Sequence, residues 1–150
     1  MQDALPKTDT KQDILLSRDF DQLLNETARH WDCQTSLSVT PEDAKVSKKL
    51  GIQISFILTE AVANAVRHGG ANQVDVLMRK QECELDIEIR DNGCGFAGPP
   101  AKYEHRDLVL LNIGPASLRD RISELGGSLT LSSSLAGVEL KLSVPLMNAN

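Results

Sequence analysis

Aromatic residues are scarce in this chain of 150 residues, since phenylalanine, tryptophan and tyrosine together make up only 3% of it. Hydrophobic residues still make up 41% and charged residues 25%, which are ordinary values for a globular protein. A chain of this length is expected to form one domain with one core. Because aromatics are so few, that core must be built from aliphatic and β-branched side chains.

An excess of positive charge is also absent. The 21 acidic residues outnumber the 16 basic ones, and the net charge is −5. Because no segment forms a basic block, we expect no binding to the backbone of a nucleic acid. A phosphate-bearing ligand would have to be held locally, by backbone N–H groups, a metal ion or single cations.

Long apolar runs and cysteine motifs are missing as well. No run approaches the ~18 apolar residues of a membrane span, and the polar N-terminus lacks the apolar core of a signal peptide. Cys33, Cys83 and Cys94 form no C-x-x-C pair, so neither a zinc site nor a disulfide framework is expected. We expect a reduced, cytoplasmic domain without membrane contact, either free or part of a larger membrane-bound protein.

Hydrophobic periodicity predicts helices and half-exposed strands in alternation. The helices are predicted at about 14–31, at 41–68 as one long helix or one broken at Gly51, and at 115–125. The strands are predicted at about 35–39, 74–78, 83–90, 128–133 and 138–144. Residues 1–12 are expected to be a disordered lead-in to one domain at 13–150, and residues 101–113 show no clear pattern. Half-exposed antiparallel strands with helices on one face predict an α/β (α+β) two-layer sandwich.

The long predicted helix carries a polar row beside its apolar face. Glu60, Asn64 and His68 follow one another at intervals of four, Arg67 lies next to them, and two glycines end the helix. Asn64 can offer a neutral oxygen to Mg²⁺ whose other ligands are phosphate oxygens and water, and Glu60 could accept a proton. The row therefore suits a metal and an anion, although an ordinary solvated face has the same composition.

A second candidate segment follows the strand at 83–90. Asp91, Gly93 and Gly95 have the form D-x-G-x-G, in which a fixed carboxylate can accept a hydrogen bond from an adenine amino group. The glycines let the backbone approach the base, and Gly114 ahead of a helix offers N–H groups to phosphate. The overlapping G-x-G-x-x-G at 93–98 is followed by prolines instead of a helix, so no dinucleotide site is expected.

Together these segments resemble the ATP-binding fold shared by gyrase, the MutL mismatch-repair protein, heat-shock chaperones and sensor histidine kinases. Residues 60–68 look like the N box, 91–96 like the first glycine box and 114–127 like the second, in the family order. Within that group the chain looks most like the C-terminal catalytic and ATP-binding domain of histidine kinases of the NarX and DesK type. The resemblance covers about 20–146 and implies a Bergerat-type fold with a mixed, mainly antiparallel sheet covered on one face by helices.

The resemblance also implies ligands and roles. ATP and Mg²⁺ would bind, Asn64 would ligate Mg²⁺, and Glu60 would be the acid/base residue. Arg67 would contact phosphate, His68 would line the nucleotide, and Asp91 would accept the adenine amino group. The remaining ATP-binding residues would be Gly93, Gly95, Gly114 and Leu118. A lid at about 97–113 is expected to be mobile.

The function that follows from the resemblance is to hold the γ-phosphoryl of ATP for transfer to a histidine. His30 does not resemble an acceptor motif, so the acceptor is expected on a separate dimerisation domain of the same kinase, with a response regulator as indirect partner. Because the dimer contacts of this family lie in that other domain, we expect this chain alone to be a monomer.

Two alternatives remain open at this point. Asn112 and Ser117 stand where the second glycine box usually has glycines, and Val138 follows Gly137 where the family usually has threonine. A non-catalytic docking module that has lost ATP binding would show such departures. A stand-alone regulator resembling the anti-sigma-factor serine kinases would share the fold and the size.

Overall fold

The computed structural model describes residues 13–94, 101–104 and 116–146. The helices are α1 (Leu16–Trp31), α2 (Lys48–Gly69) and α3 (Ala116–Glu124). The strands are β1 (Ile14–Leu15), β2 (Gln34–Thr40), β3 (Lys45–Val46), β4 (Gln73–Lys80), β5 (Glu84–Asp91), β6 (Ala101–Tyr103), β7 (Ser128–Ser134) and β8 (Gly137–Pro145). The predicted disordered lead-in at 1–12 lies outside the described residues.

Six strands form a mixed sheet in the order β2-β4-β5-β8-β7-β6, while β1 and β3 form a separate antiparallel pair. Strand β2 runs parallel to β4, and the other pairs described in the large sheet are antiparallel. The parallel pair arises because α2 crosses over between β2 and β4, as parallel neighbours require. The predicted mixed, mainly antiparallel α/β sheet is confirmed.

The three helices cover one face of this sheet. In β5, Leu85, Ile87 and Ile89 point into the core, whereas the intervening acidic side chains lie on the opposite, wetter face. Helix α2 buries the apolar stripe predicted for it, and α1 and α3 add further aliphatic side chains to the same core cluster. The buried stripe of α2 includes Ile54, Ile57, Leu58, Ala61 and Ala65. Within the described residues, no helix is both long and apolar enough to cross a membrane.

The predicted start of the long helix was wrong. Helix α2 begins at Lys48, where the side chain of Ser47 accepts a hydrogen bond from the N–H of Leu50 at 3.1 Å. Gly51 does not break the helix. It is buried within α2, and a Cβ at this position would displace the end of the Ile14 side chain in β1. The glycine thus packs closely against β1, which the sequence pattern did not show.

Strand β6 was not predicted, because three residues are too few to show an alternation. Ala101 and Tyr103 pair with Ser133 and Leu131 of β7, at the edge of the sheet. These residues fall within the predicted lid at 97–113. Apart from β6 and Glu104, the lid residues lie outside the described part of the chain, so the mobility of the lid stays a prediction.

Candidate functional site

The polar row of α2 lies along the C-terminal half of the helix. Glu60 and Asn64 are partly buried, whereas Arg67 and His68 are exposed. Helix α2 ends at Gly69, and the left-handed φ of 67° at the following Gly70 lets its N–H reach the carbonyls of the last helical turn. The four polar side chains predicted for the site therefore lie on one helix and lead towards its C-terminal end.

The loop after β5 is in direct contact with this helix end. The N–H of Cys94 donates to the carbonyl oxygen of Gly69 at 2.9 Å. A Cβ built on Gly93 would lie 2.6 Å from that same oxygen, so the approach requires a residue without a side chain. The structure thus brings the segment of Asp91 and Gly93 against the end of the helix that carries Arg67 and His68.

Asp91 is the last residue of β5 and is partly buried. Its Oδ1 accepts hydrogen bonds from the N–H of Gly93 at 2.9 Å and from the N–H of Val138 at 3.2 Å. Burial raises the pKa of Asp91 above its ordinary value, and the two backbone N–H groups counteract part of that rise. No described residue donates a hydrogen bond to Oδ2. The carboxylate is thus held in one orientation by its Oδ1.

Gly137 contributes to the site through another close approach. This first residue of β8 has a φ of 133°, and a Cβ there would collide with the carbonyl oxygen of Asp91. The glycine lets β8 pass over the end of β5 so that the N–H of Val138 reaches the Asp91 carboxylate. The hydrogen bond uses the backbone of Val138, so it does not depend on which side chain follows Gly137.

Sequence reasoning missed Asn92. Its Oδ1 accepts the N–H groups of Asn72 at 3.0 Å and Gln73 at 3.1 Å, and its Nδ2 donates to Asn72 Oδ1 at 2.7 Å. The loop after β5 is thereby attached to the loop after α2. An asparagine in D-N-G is typical of backbone-binding turns, but a partner 20 residues away has no local signal in the sequence.

Asn64 is oriented by its contact with Arg67. The Nη2 of Arg67 lies 3.4 Å from Asn64 Oδ1, while Asn64 Nδ2 is buried without a hydrogen-bond partner among the described residues. The amide oxygen of Asn64 therefore faces the guanidinium of Arg67. An amide oxygen is also a group that can serve as a metal ligand. Within the described residues there is no group of three or more His, Cys, Asp and Glu side chains that could hold a metal. A donor set of one amide oxygen fits Mg²⁺ only if phosphate oxygens and water supply the other ligands.

The structure brings some of the predicted residues together and leaves others undecided. The row on α2, Asp91 and Gly93 belong to adjoining segments, as described above. Leu118, at the start of α3, is 1% exposed and belongs to the core. Gly95 and Gly114 lie outside the described residues. Contact of Leu118 and these two glycines with a nucleotide stays a prediction.

The architecture and the site agree with comparisons to known proteins. Residues 50–148 match the model of the histidine kinase-, DNA gyrase B-, and HSP90-like ATPases. The chain belongs to this ATPase family. The ATP binding domain of PrrB from Mycobacterium tuberculosis superimposes with a TM-score of 0.69 at 26% identity, over 89% of this chain and 95% of that domain.

Its curated relatives include sensor histidine kinases. The chain is 28% identical over 117 residues to LiaS of Bacillus subtilis, which covers 77% of the chain and 28% of LiaS. It is 29% identical over 119 residues to the nitrate/nitrite sensor protein NarQ of Escherichia coli, which covers 79% of the chain and 19% of NarQ. The chain thus spans less than a third of each relative. The resemblance to a histidine-kinase catalytic domain is confirmed. Membership of the ATPase family implies that the chain is an ATP-binding domain.

The contact between Gly93 and Gly69 provides a matched pair of substitutions. Gly93→Ala should lower the free energy of unfolding by about 1–3 kcal/mol, because its Cβ would meet the backbone of the helix end. Gly69→Ala should change it by no more than about 1 kcal/mol, because there the nearest atom is Gly93 Cα at an ordinary 3.7 Å. Urea denaturation of both variants measures the difference. Equal stabilities would show that the loop and the helix end are not in close contact.

Asp91→Asn should show how the raised pKa of this carboxyl affects stability. A raised pKa means that the folded state binds the proton more tightly. The resulting stabilisation is present below the ordinary pKa of about 3.9 and is lost as the pH rises through the folded value. Asparagine does not titrate. The stability of Asp91→Asn relative to the parent should therefore increase with pH from about pH 4 upwards and then level off.

Paired urea denaturation curves across this pH range measure that difference, since the other carboxyl groups titrate in both proteins. A difference that is constant with pH, or that falls as the pH rises, would contradict the raised pKa.

Proposed function

We propose that this chain is the ATP- and Mg²⁺-binding catalytic domain of a two-component sensor histidine kinase. In this function the domain, residues 13–150, holds ATP so that the γ-phosphoryl passes to a histidine on a separate dimerisation domain. The observation that carries the proposal is the orientation of the Asp91 carboxylate at the end of β5. Two backbone N–H groups donate hydrogen bonds to its Oδ1. The other oxygen accepts no hydrogen bond from a described residue, and the adjoining helix end carries the phosphate-binding candidates.

The base would bind at Asp91. An adenine amino group donates a hydrogen bond and therefore matches Oδ2 of an ionised carboxylate, whereas the 6-oxo group of hypoxanthine or guanine accepts and would be repelled. A hydrogen bond to a charged acceptor contributes about 1.5–3 kcal/mol. The Asp91 carboxylate therefore supports selectivity for adenine over 6-oxo purines.

The phosphates would lie along the polar row of α2. An α-helix rises about 1.5 Å per residue, so Asn64 lies about 7–8 Å along the axis from Gly69, where the loop of Asp91 makes contact. Asn64 Oδ1 would ligate Mg²⁺, which would neutralise charge on the phosphate oxygens. Arg67 and His68 would bind phosphate oxygens directly. The contribution of these residues to the rate is positioning and charge stabilisation.

Further residues would complete the site. Glu60, two turns before His68, would accept a proton from the acceptor histidine or orient it. Gly95 and Gly114 would shape the pocket and the lid, and Leu118 would contribute apolar surface.

The acceptor histidine would lie on the dimerisation domain of the same kinase, in the cytoplasm, and a response regulator would receive the phosphoryl group next. The isolated domain would be a monomer.

The first experiment is calorimetric titration of ATP, with and without Mg²⁺, into the parent chain and into Asp91→Asn. The asparagine keeps an oxygen for the N–H groups of Gly93 and Val138 but presents a donor to the adenine amino group. Affinity for ATP should fall at least about tenfold. The parent should bind ITP more weakly than ATP by a similar factor, and Mg²⁺ should strengthen ATP binding in the parent.

Asp86→Asn is the control for this titration, because Asp86 lies on the same strand with its side chain on the opposite face of the sheet. It should bind ATP as the parent does. A folded parent chain that binds no ATP would overturn the proposal and favour the docking module. Equal affinities for ATP and ITP would refute the role of Asp91.

The transfer step is tested with the chain joined to the histidine-bearing domain of its kinase and γ-labelled ATP. The label should appear on histidine, where it is labile in acid and stable in base. Glu60→Gln should slow labelling by about 10²–10⁴-fold without changing the affinity for ATP, because the acid/base group acts in the transfer step. The control is Glu82→Gln, an exposed glutamate in the turn before β5. Acid-stable label on serine or threonine would instead support the serine-kinase alternative.

A further inference from the structure

Arg67 lies between two partners that belong to different helices. Its Nη2 is 3.4 Å from Asn64 Oδ1 on α2, and its guanidinium carbon is 5.9 Å from the centre of the Trp31 ring at the end of α1. The first distance is long for a hydrogen bond, and the second is within the range of a cation–π contact. The guanidinium of this exposed arginine thus lies between the amide of Asn64 and one face of the Trp31 ring.

Trp31 is itself held in place. It packs against the hydrophobic core, and the ring of His30 meets its ring edge-on at 5.0 Å. Helix α1 ends immediately after it, because Asp32 adopts a left-handed φ of 55° and the N–H of Cys33 donates to Ala28 at 3.0 Å. The ring is therefore a fixed support, whereas the arginine above it is a long chain with many rotamers.

The backbone after Trp31 is also joined to the adenine end of the site. The N–H of Gln34 donates to the carbonyl of Asn72 at 2.9 Å, and Asn72 is bonded to Asn92, the neighbour of Asp91. The end of α1, the loop after α2 and the loop after β5 thus form one hydrogen-bonded unit.

We propose that Trp31 is a positioning residue for phosphate binding, which holds the guanidinium of Arg67 over its ring beside Asn64. This inference rests on the proposed function. A cation at Asn64 Oδ1 would repel the guanidinium from that oxygen, and a phosphate oxygen would offer it a shorter, charge-assisted hydrogen bond. Arg67 then turns from Asn64 to the phosphate while the ring still supports it. Because the ring favours the rotamers of Arg67 that lie over it before a ligand binds, less side-chain entropy is lost on binding.

The consequence is that Trp31 affects affinity for the phosphates and not for the nucleoside. Trp31→Leu should weaken binding of ATP with Mg²⁺ by about two- to fivefold, the range of an exposed cation–π contact, and leave adenosine affinity unchanged. Trp31→Phe keeps a ring face and should lose less. In an Arg67→Met background, Trp31→Leu should have no further effect. A merely structural role would weaken adenosine binding too, and would persist without the arginine.

Intrinsic fluorescence supplies an independent measurement, because the chain contains a single tryptophan. ATP with Mg²⁺ should change the emission of Trp31 in the parent chain, whereas adenosine alone, or ATP added to Arg67→Met, should change it much less. Unchanged ATP affinity in Trp31→Leu, in a parent that binds ATP, would overturn this inference and leave the proposed function intact. A parent that binds neither ATP nor adenosine would overturn both.

Discussion

The arrangement of the site depends on one backbone contact, between the carbonyl of Gly69 at the end of α2 and the loop after β5. The N–H of Cys94 binds that oxygen, and Gly93 has no side chain that would prevent the approach. This contact joins the strand that ends in Asp91 to the helix that carries the polar row. Together with the hydrogen bonds of Asn92, it places the base-binding and phosphate-binding candidates beside one another.

A second constraint is electrostatic. Asp91 is partly buried, which disfavours its charged form, yet two backbone N–H groups converge on one of its oxygens. The carboxylate is thereby oriented by main-chain groups that a change of side chain would not remove. The departure from the family pattern at Val138 is thus of little consequence for this contact, because the residue donates through its backbone.

Strand β8, the loop after β5 and helix α1 also contribute contacts to the candidate site. Strand β8 approaches Asp91 through Gly137, and the asparagine after Asp91 attaches its loop to the loop after α2. Helix α1 contributes Trp31, whose ring lies below Arg67. The two helices that meet in the core therefore also meet beside the polar row of α2, so that packing of the core and geometry of the candidate site are coupled.

The sequence by itself determined the periodic helices and strands and the residue types of the candidate site. Alternation in β5 and helical spacing in α2 were sufficient to predict the sheet, the buried stripe and the polar row, because those signals repeat over many residues. The segment of Asp91 and Gly93 was likewise identified from its own residue types. The start of α2 was set locally by the Ser47 side chain, whereas the burial of Gly51 and strand β6 were decided only by tertiary structure. So were the partners of Asn92 and Trp31, because these contacts join residues far apart in the chain and leave no periodic trace in it.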